Sequence, residues 1–149
     1  MEQKIFREII DFAIGQEHEA AQMYEQASNT AVGAAQRIFL EELAATERMH
    51  EFVLAKLSQS GDEFLNDFVR DLHVADFLVE KGLDPAGTLQ DLYIFAIKAE
   101  GKAAELYASL ARIQHDSQAG VLFGRLATEE DAHRAALEAD YEKTFTGEN

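Results

Sequence analysis

A glutamate that stands three residues before a histidine occurs twice in the sequence, each time inside an apolar helical pattern. The two pairs are Glu47–His50, in the stretch ERMH, and Glu130–His133, which lies 83 residues further along the chain. A carboxylate and an imidazole one helical turn apart share a helix face, and both are good ligands for iron, manganese or zinc. One such pair means little in a chain with 28 Asp and Glu residues. Its recurrence is the informative feature.

The offset between the two pairs also relates longer segments of the chain. FAIGQEHEAAQMY aligns with FAIKAEGKAAELY, so that Glu17 matches Glu100 and Tyr24 matches Tyr107. Surface charges that serve only solubility have no reason to keep such a register. The repeat therefore indicates two copies of one unit, each with a single glutamate, a tyrosine seven residues after it and a Glu-x-x-His pair.

Helical geometry predicts where these groups lie. Glu17 and Glu47 are each 15 residues from the expected turn near residue 32, so an antiparallel pair of helices sets them level. The second copy places Glu100 and Glu130 in the same way. Each of these positions lies within the apolar stripe of its helix. Four carboxylates and two imidazoles are thus expected to converge midway along a helical bundle.

Charge balance favours metal ions in such a cluster. Ionised carboxylates away from water cost several kcal/mol apiece unless they are compensated, and Lys98 and Arg125 lie off the acidic faces. Two divalent cations balance four carboxylates, and two trivalent cations with an oxo bridge balance them as well. A buried polar network or a set of surface charges is the alternative reading. The balance favours two redox-active metal ions.

Four helical stripes are expected to position the ligands, and no segment alternates like a strand. The segment between the second and third stripes contains Asp84–Pro85, a cap and first-turn proline for the next element, and the tail TFTGEN is expected to fray. The predicted fold is an all-α four-helix bundle of two similar hairpins, in a single domain over residues 1–149. The stripes run from Gln3 to about Ser28, from about Ala34 to Ser58, from about Thr88 and from about Ser117, with a long crossover over about residues 60–87.

Composition excludes several classes of function. The chain has no cysteine, which excludes disulfides, thiol nucleophiles, iron–sulfur ligation and Cys-based zinc sites. The net charge of −15 repels phosphate backbones, so no nucleic-acid partner is expected. The segment MEQKIFREII lacks the apolar core of a signal peptide, and no apolar run reaches membrane-spanning length. We expect a cytoplasmic protein with no membrane partner.

The repeated residues resemble the ligand set of the ferritin-like di-iron carboxylate superfamily. A tyrosine seven residues after each single glutamate is most similar to the rubrerythrin branch. The resemblance implies a ferritin-like bundle that holds two iron ions, Fe²⁺ or Fe³⁺, with manganese or zinc able to replace them in a preparation. It also implies terminal ligands Glu17 and Glu100, bridging ligands Glu47 and Glu130, capping ligands His50 and His133, and tyrosines Tyr24 and Tyr107 bonded to ligand carboxylates.

Two features depart from typical rubrerythrins. Those proteins append a cysteine-ligated, rubredoxin-like iron domain that delivers electrons, whereas these 149 residues contain no cysteine. They also carry an extra glutamate ligand on the third helix, about one turn after the first. Ala103 occupies that position here, and Glu105 lies nearby on a different face. These departures concern a peroxidase mechanism in which a carboxylate ligand exchanges with a histidine ligand. They do not change the set of six predicted metal ligands.

The resemblance implies a di-iron peroxidase or oxidase that reduces hydrogen peroxide or dioxygen by two electrons in oxidative-stress defence. Electrons then come from a separate donor protein or reductase, and we expect a homodimer. The alternative is a ferroxidase or iron-storage protein of the bacterioferritin type, which needs a large hollow assembly. A scaffold with a vestigial site is a third reading, and it predicts no stoichiometric metal.

Other acidic and histidine residues lie near the repeated motif without recurring at its offset. We expect the acidic ones to be solvated, with Glu51 as the most plausible exception. The histidines lack the sequence pattern of an acidic partner, and we expect them to lie at the surface. These residues are Glu19, Glu51, Glu105 and Glu129, and His18, His73 and His115.

Overall fold

The computed structural model describes residues 2–59, 74–77, 87–114 and 117–147. These segments are almost wholly helical and contain no strand, which confirms the predicted all-α class. The four long helices are α1 (Glu2–Ser28), α2 (Ala34–Gln59), α3 (Leu89–Ile113) and α4 (Gln118–Phe145), and a short 3₁₀ helix spans Val74–Phe77.

The chain divides into two compact units, Met1–Val74 and Ala75–Asn149. In the first unit α1 packs against α2, and in the second α3 packs against α4, so the predicted pair of similar hairpins is confirmed. Most of the predicted crossover over residues 60–87 lies outside the described residues. The assignment of residues 1–149 to a single domain stays a prediction.

The first hairpin is held by an apolar stripe on each helix. Ile10 and Ala13 of α1 and Leu40 and Leu54 of α2 are completely buried. Full burial of a leucine or isoleucine side chain contributes about 1.5–3 kcal/mol, so these few residues supply much of the driving force for pairing. At the turn, the Val32 amide donates to the side-chain oxygen of buried Gln36 at 3.0 Å, which satisfies a backbone group just before α2.

The second hairpin begins with a capping box. The Asp91 amide donates to the Thr88 hydroxyl, and the Thr88 amide donates to the Asp91 carboxylate, both at 3.1 Å. These bonds satisfy amides that have no partner inside the first turn. The predicted cap at Asp84–Pro85 lies outside the described residues, and α3 begins after Thr88 instead. Ser117 caps α4 by accepting a hydrogen bond from the Gly120 amide at 3.0 Å.

The end of α4 is more ordered than the sequence predicted. The tail TFTGEN was expected to fray, but Thr144 and Phe145 belong to α4. The Phe145 ring packs on Tyr93 and Tyr141 with centroid separations of 5.4 and 5.3 Å, and this aromatic contact holds the last helical turn. Gly147 then adopts a φ of 72°, the left-handed conformation in which glycine commonly ends a helix.

None of the helices in the described part of the chain is both long enough and apolar enough to cross a membrane.

The capping box of α3 yields a stability prediction. Thr88→Ala removes the hydroxyl that accepts from the Asp91 amide, so we expect the free energy of unfolding to fall by about 1 kcal/mol. Thr128→Ala is the matched control, because Thr128 is exposed within α4 and its hydroxyl only donates to the Gly124 carbonyl. Urea unfolding of the metal-free protein, followed by circular dichroism, measures both. Equal losses in the two variants would show that the cap contributes nothing specific.

Candidate metal centre

The first hairpin brings together three of the six predicted ligands. Glu17 comes from α1, and Glu47 and His50 come from α2. His50 Nδ1 lies 3.5 Å from Glu17 Oε2 and 3.7 Å from Glu47 Oε2, and at most 3% of each side chain is exposed. We call Glu17, Glu47 and His50 the first triad; its ligand atoms all lie within 4.8 Å of one another.

The second hairpin repeats the arrangement with the other three predicted ligands. Glu100 comes from α3, and Glu130 and His133 come from α4. His133 Nδ1 lies 3.9 Å from Glu100 Oε2 and 3.9 Å from Glu130 Oε2. The ligand atoms of this second triad also lie within 4.8 Å of one another. The two glutamates are buried, but His133 is 15% exposed where His50 is 2% exposed.

The separations inside each triad fit a shared cation. Two donor atoms that are each about 2.1 Å from one cation lie about 3.0–4.2 Å apart, for angles at the cation from a right angle to a straight line. The separations of His50 from Glu17 and Glu47 fall inside this range. Both separations of His133 do so as well. In all four cases Nδ1 is the ring nitrogen at this distance, so the imidazoles present the same donor atom in both hairpins.

The charges around the triads favour cation binding. No Lys or Arg side chain is buried among residues 7–59, 76–77, 87–114 and 117–147. Lys98 and Arg125, which the sequence placed off the acidic faces, are both exposed. Since a buried carboxylate is costly without compensation, a cluster of two carboxylates and one imidazole in each hairpin is an environment in which a cation gains affinity.

Comparison with known proteins assigns the chain to a family. A family model described as Rubrerythrin matches residues 8–141. The chain belongs to the rubrerythrin family. A solved structure described as Hypothetical Protein Pfu-1136390-001 from Pyrococcus furiosus is 25% identical, covers 96% of this chain and 92% of that chain, and has a TM-score of 0.74. Among curated proteins, none matches the chain significantly.

These comparisons confirm two of the sequence predictions. The resemblance to rubrerythrins is confirmed by the family match. The fold class, a ferritin-like four-helix bundle, is confirmed by the helical content together with the match to the solved structure. Family membership and a buried Glu/His triad in each hairpin together support metal binding by this rubrerythrin-family protein. The role of each individual ligand stays a prediction.

The two tyrosines that the repeat singled out are both buried. Tyr24 and Tyr107 are each 1% exposed, and each lies two helical turns beyond the single glutamate of its hairpin. The Tyr107 ring stacks on Phe123 with a centroid separation of 6.4 Å, which holds the ring in one orientation. Their bonds to ligand carboxylates, implied for rubrerythrins, stay a prediction. Ala103, which replaces the extra rubrerythrin glutamate, is half-buried on α3.

A polar network lies on the outer side of the first hairpin, beside the first triad in the sequence. His18 is exposed as predicted, and it has an acidic partner that no sequence pattern indicated. Its Nδ1 lies 3.1 Å from Glu51 Oε1 and 3.0 Å from Arg48 Nη1. Arg48 also donates to Glu25 at 3.1 and 3.2 Å, and these hydrogen bonds raise the pKa of its guanidinium. Glu51 was the acidic residue that the sequence marked as the exception.

The equivalent surface of the second hairpin is built differently. Arg134 donates to Asp131 at 2.7 Å and to Glu138 at 3.1 Å, and the bond to Asp131 is the main cause of its raised pKa. Gly101 occupies the position of His18, and a Cβ there would lie 3.3 Å from the Arg134 Cδ. Glycine therefore leaves room for the arginine side chain to lie across α3. The two hairpins share their interior ligands but not their outer surfaces.

The remaining neighbours of the motif follow the expectations where they are described. Glu19 and Glu105 are exposed, and Glu129 is half-buried. His73 and His115 lie outside the described residues.

The sequence analysis missed one polar pair, in which a buried tyrosine contacts a half-buried aspartate. The Tyr93 hydroxyl of α3 donates to the Asp140 carboxylate of α4. The spacing of the two residues could have indicated the pair, because Tyr93 stands seven residues before Glu100 and Asp140 stands seven residues after His133. Because the first hairpin has no counterpart of this pair, a search based on the repeat could not find it.

The triads predict how metal binding responds to substitution. Glu47→Ala and Glu130→Ala each remove a buried carboxylate, so we expect the affinity for Fe²⁺ to fall by at least about 100-fold, beyond the usual effect of supporting residues. Anaerobic loading followed by metal analysis of the desalted protein measures the loss. Glu41→Ala and Glu105→Ala are the matched controls, because both glutamates are exposed. Near-normal metal content in both ligand variants would refute the ligand assignment.

Proposed function

We propose that the protein is a non-haem di-iron oxidoreductase that reduces hydrogen peroxide, or dioxygen, by two electrons in oxidative-stress defence. The observation that carries the proposal is the pair of buried Glu/Glu/His triads in a chain of the rubrerythrin family. Buried donor groups at cation-binding separations, repeated in two hairpins, are what a two-metal redox site requires.

In the proposed site the two triads jointly hold two iron ions. Glu47 and Glu130 would be the bridging ligands, Glu17 and Glu100 the terminal ligands, and His50 and His133 the capping ligands. Support comes from the match of the rubrerythrin family model to residues 8–141 and from the similar separations of the ligand atoms in the two triads. A mainly carboxylate set with two imidazoles suits iron or manganese by its hardness.

The residues of the chain have defined tasks in this reaction. Iron held by these residues would supply two-electron redox chemistry to the site. The carboxylates hold the charge of the site close to neutral, so that gaining or losing electrons does not leave a bare charge in a buried pocket. Tyr24 and Tyr107 orient the ligand carboxylates and hold protons at their phenol groups. Since Ala103 offers no donor atom, the ligand set stays fixed at six residues.

The proposed reaction needs an external source of electrons. These 149 residues contain no cysteine, so no thiolate-ligated iron within them can pass electrons to the site. We propose a separate donor protein or reductase in the cytoplasm. The net charge of −15 favours a donor whose docking surface is basic.

Rapid mixing tests the redox function. The anaerobic Fe²⁺-loaded protein is mixed with hydrogen peroxide and, separately, with dioxygen, and the oxidation of iron is followed by absorbance. We expect oxidation by the preferred oxidant to be at least about tenfold faster than for the same amount of free Fe²⁺, a barrier lowered by about 1.4 kcal/mol. Glu41→Ala should keep this rate and Glu47→Ala should lose it. If both oxidants oxidise the bound iron no faster than free Fe²⁺, the proposed enzymatic function is refuted.

Assembly size separates the proposed enzyme from an iron-storage protein. We propose a homodimer, so size-exclusion chromatography with light scattering should give twice the 16.6 kDa of one chain. Storage of a mineral requires a large hollow assembly. A shell of many subunits that retains hundreds of iron ions would contradict the proposed oxidoreductase and support a ferroxidase of the storage type.

A further inference from the structure

Tyr93 is a completely buried tyrosine whose hydroxyl is bound to a carboxylate. Its side chain is 0% exposed, and its hydroxyl donates to Asp140 Oδ2. A phenol holds its proton up to a pKa of about 10 in water, and loss of an electron makes that proton strongly acidic. A carboxylate already hydrogen-bonded to the hydroxyl can accept the proton without any movement of heavy atoms. The pair is therefore built for coupled loss of an electron and a proton.

Helix packing alone does not explain the pair. At the repeat offset, the first hairpin has Ile10 in place of Tyr93 and Leu57 in place of Asp140. Ile10 is also 0% exposed, so an apolar side chain fills the same buried position. The hydroxyl and the carboxylate are additions of the second hairpin. A larger apolar side chain at either position could also stabilise the packing of α3 against α4, so stability alone does not require a hydroxyl and a carboxylate here.

The pair lies at a fixed distance from the second triad. Tyr93 is seven residues before Glu100 on α3, and Asp140 is seven residues after His133 on α4. Seven residues of helix make nearly two turns and a rise of about 10.5 Å, so Tyr93 shares the face of Glu100 and stands about 10 Å along the helix from it. Electrons tunnel through protein over such a distance without direct contact.

Aromatic rings connect Tyr93 to the surface of the second hairpin. The Tyr93 and Phe145 rings pack edge to face at 5.4 Å, and the Phe145 and Tyr141 rings lie 5.3 Å apart. Tyr141 is partly exposed, and its hydroxyl accepts a hydrogen bond from Gln90 at 3.0 Å. We call Tyr93, Phe145 and Tyr141 the aromatic path.

We propose that Tyr93 is a redox-active tyrosine that gives one electron to the metal site, with Asp140 as its proton acceptor and the aromatic path as its link to solvent. This role rests on the proposed function, because it is the strong oxidant at the site that draws the electron. It goes further by assigning a radical-forming residue outside the ligand set.

The electrons and protons of this step balance. Reduction of one hydrogen peroxide to two waters consumes two electrons and two protons. When the site has only one electron to give, Tyr93 supplies the second. Its O–H bond breaks, the proton moves to Asp140, and a neutral tyrosyl radical remains. An electron from Tyr141 restores Tyr93, and Asp140 returns the proton. The Tyr141 phenol releases its proton to water. A one-electron reductant in solvent, such as ascorbate, then reduces the Tyr141 radical, which takes a proton back from water. Solvent also supplies the two protons that the peroxide consumes.

Photo-oxidation of the metal-free protein tests the redox chemistry of Tyr93 independently of iron. Tris(bipyridine)ruthenium and persulfate are flashed with the protein, the sample is frozen, and tyrosyl radicals are counted by electron paramagnetic resonance. Because Tyr141 is partly exposed and can itself be oxidised, every variant in this experiment also carries Tyr141→Phe. We expect a radical in this background whose yield falls at least about tenfold when Tyr93→Phe is added. Asp140→Asn keeps a hydrogen-bond acceptor but cannot take the proton, so a similar loss is expected at neutral pH.

Phe123→Leu is the matched control, because Phe123 is equally buried in the second hairpin but carries no hydroxyl group. It should leave the radical yield unchanged. Urea unfolding checks that each variant is folded. A pair that serves only to hold α3 and α4 together predicts lower stability in Tyr93→Phe with an unchanged radical signal. That outcome, or loss of the signal in Phe123→Leu alone, would overturn the proposal.

The iron-loaded protein then shows whether the radical forms in turnover. Protein loaded with one Fe²⁺ per chain, so that the site has one electron to give, is mixed with excess hydrogen peroxide and freeze-quenched. We expect the Tyr93 radical, with reduction by ascorbate slowed at least about tenfold in Tyr141→Phe and in Phe145→Leu. Rapid iron oxidation without any tyrosyl radical would overturn the proposed role of Tyr93. Absence of rapid iron oxidation would instead refute the proposed function, and the metal-free experiment would still decide whether Tyr93 is redox-active.

Discussion

Burial of carboxylates without a buried lysine or arginine, in the part of the chain that the structure describes, is the constraint on which the rest of the structure depends. Each hairpin places two glutamates and one histidine in its interior, while the described Lys and Arg side chains all reach solvent. Such an interior opposes folding, since a buried ionised group is stable only with a partner. The apolar stripes of the helices must offset that cost, and a bound cation removes it, because the free energy of metal binding adds to that of folding.

The internal repeat shows which features that constraint fixes. Inside the hairpins both copies of the repeat keep the three ligands and the tyrosine after the single glutamate. In both, the histidine Nδ1 faces the glutamate carboxylates. Outside, the charges are exchanged: Arg48 pairs with Glu51 in the first hairpin, whereas Asp131 pairs with Arg134 in the second. His133 is also more exposed than His50. Solvent therefore reaches the second triad more readily than the first.

Much of this structure could be predicted from the sequence because helices convert spacing into position. Periodicity predicts where the four helices begin. The 83-residue offset predicts the two hairpins and the grouping of three ligands within each hairpin. The end of α4 could not be predicted this way, since it depends on the contacts of the Phe145 ring with side chains distant in sequence. The cap at Thr88 could not be identified from the sequence, because Asp84–Pro85 is an equally good sequence pattern for the start of a helix. The contact of His18 with Glu51 depends on how α1 and α2 pack, which spacing alone does not determine.

Completion of each triad within one hairpin has a consequence for synthesis of the protein. All three groups of the first triad lie between residues 17 and 50, and α1 contacts α2 directly. Contacts between segments near in sequence form quickly. On the ribosome, the first hairpin can fold and capture a cation while the second is still being translated. A nascent chain would thus acquire its metals in sequence, and intracellular iron supply during translation becomes a factor in how much holoprotein accumulates.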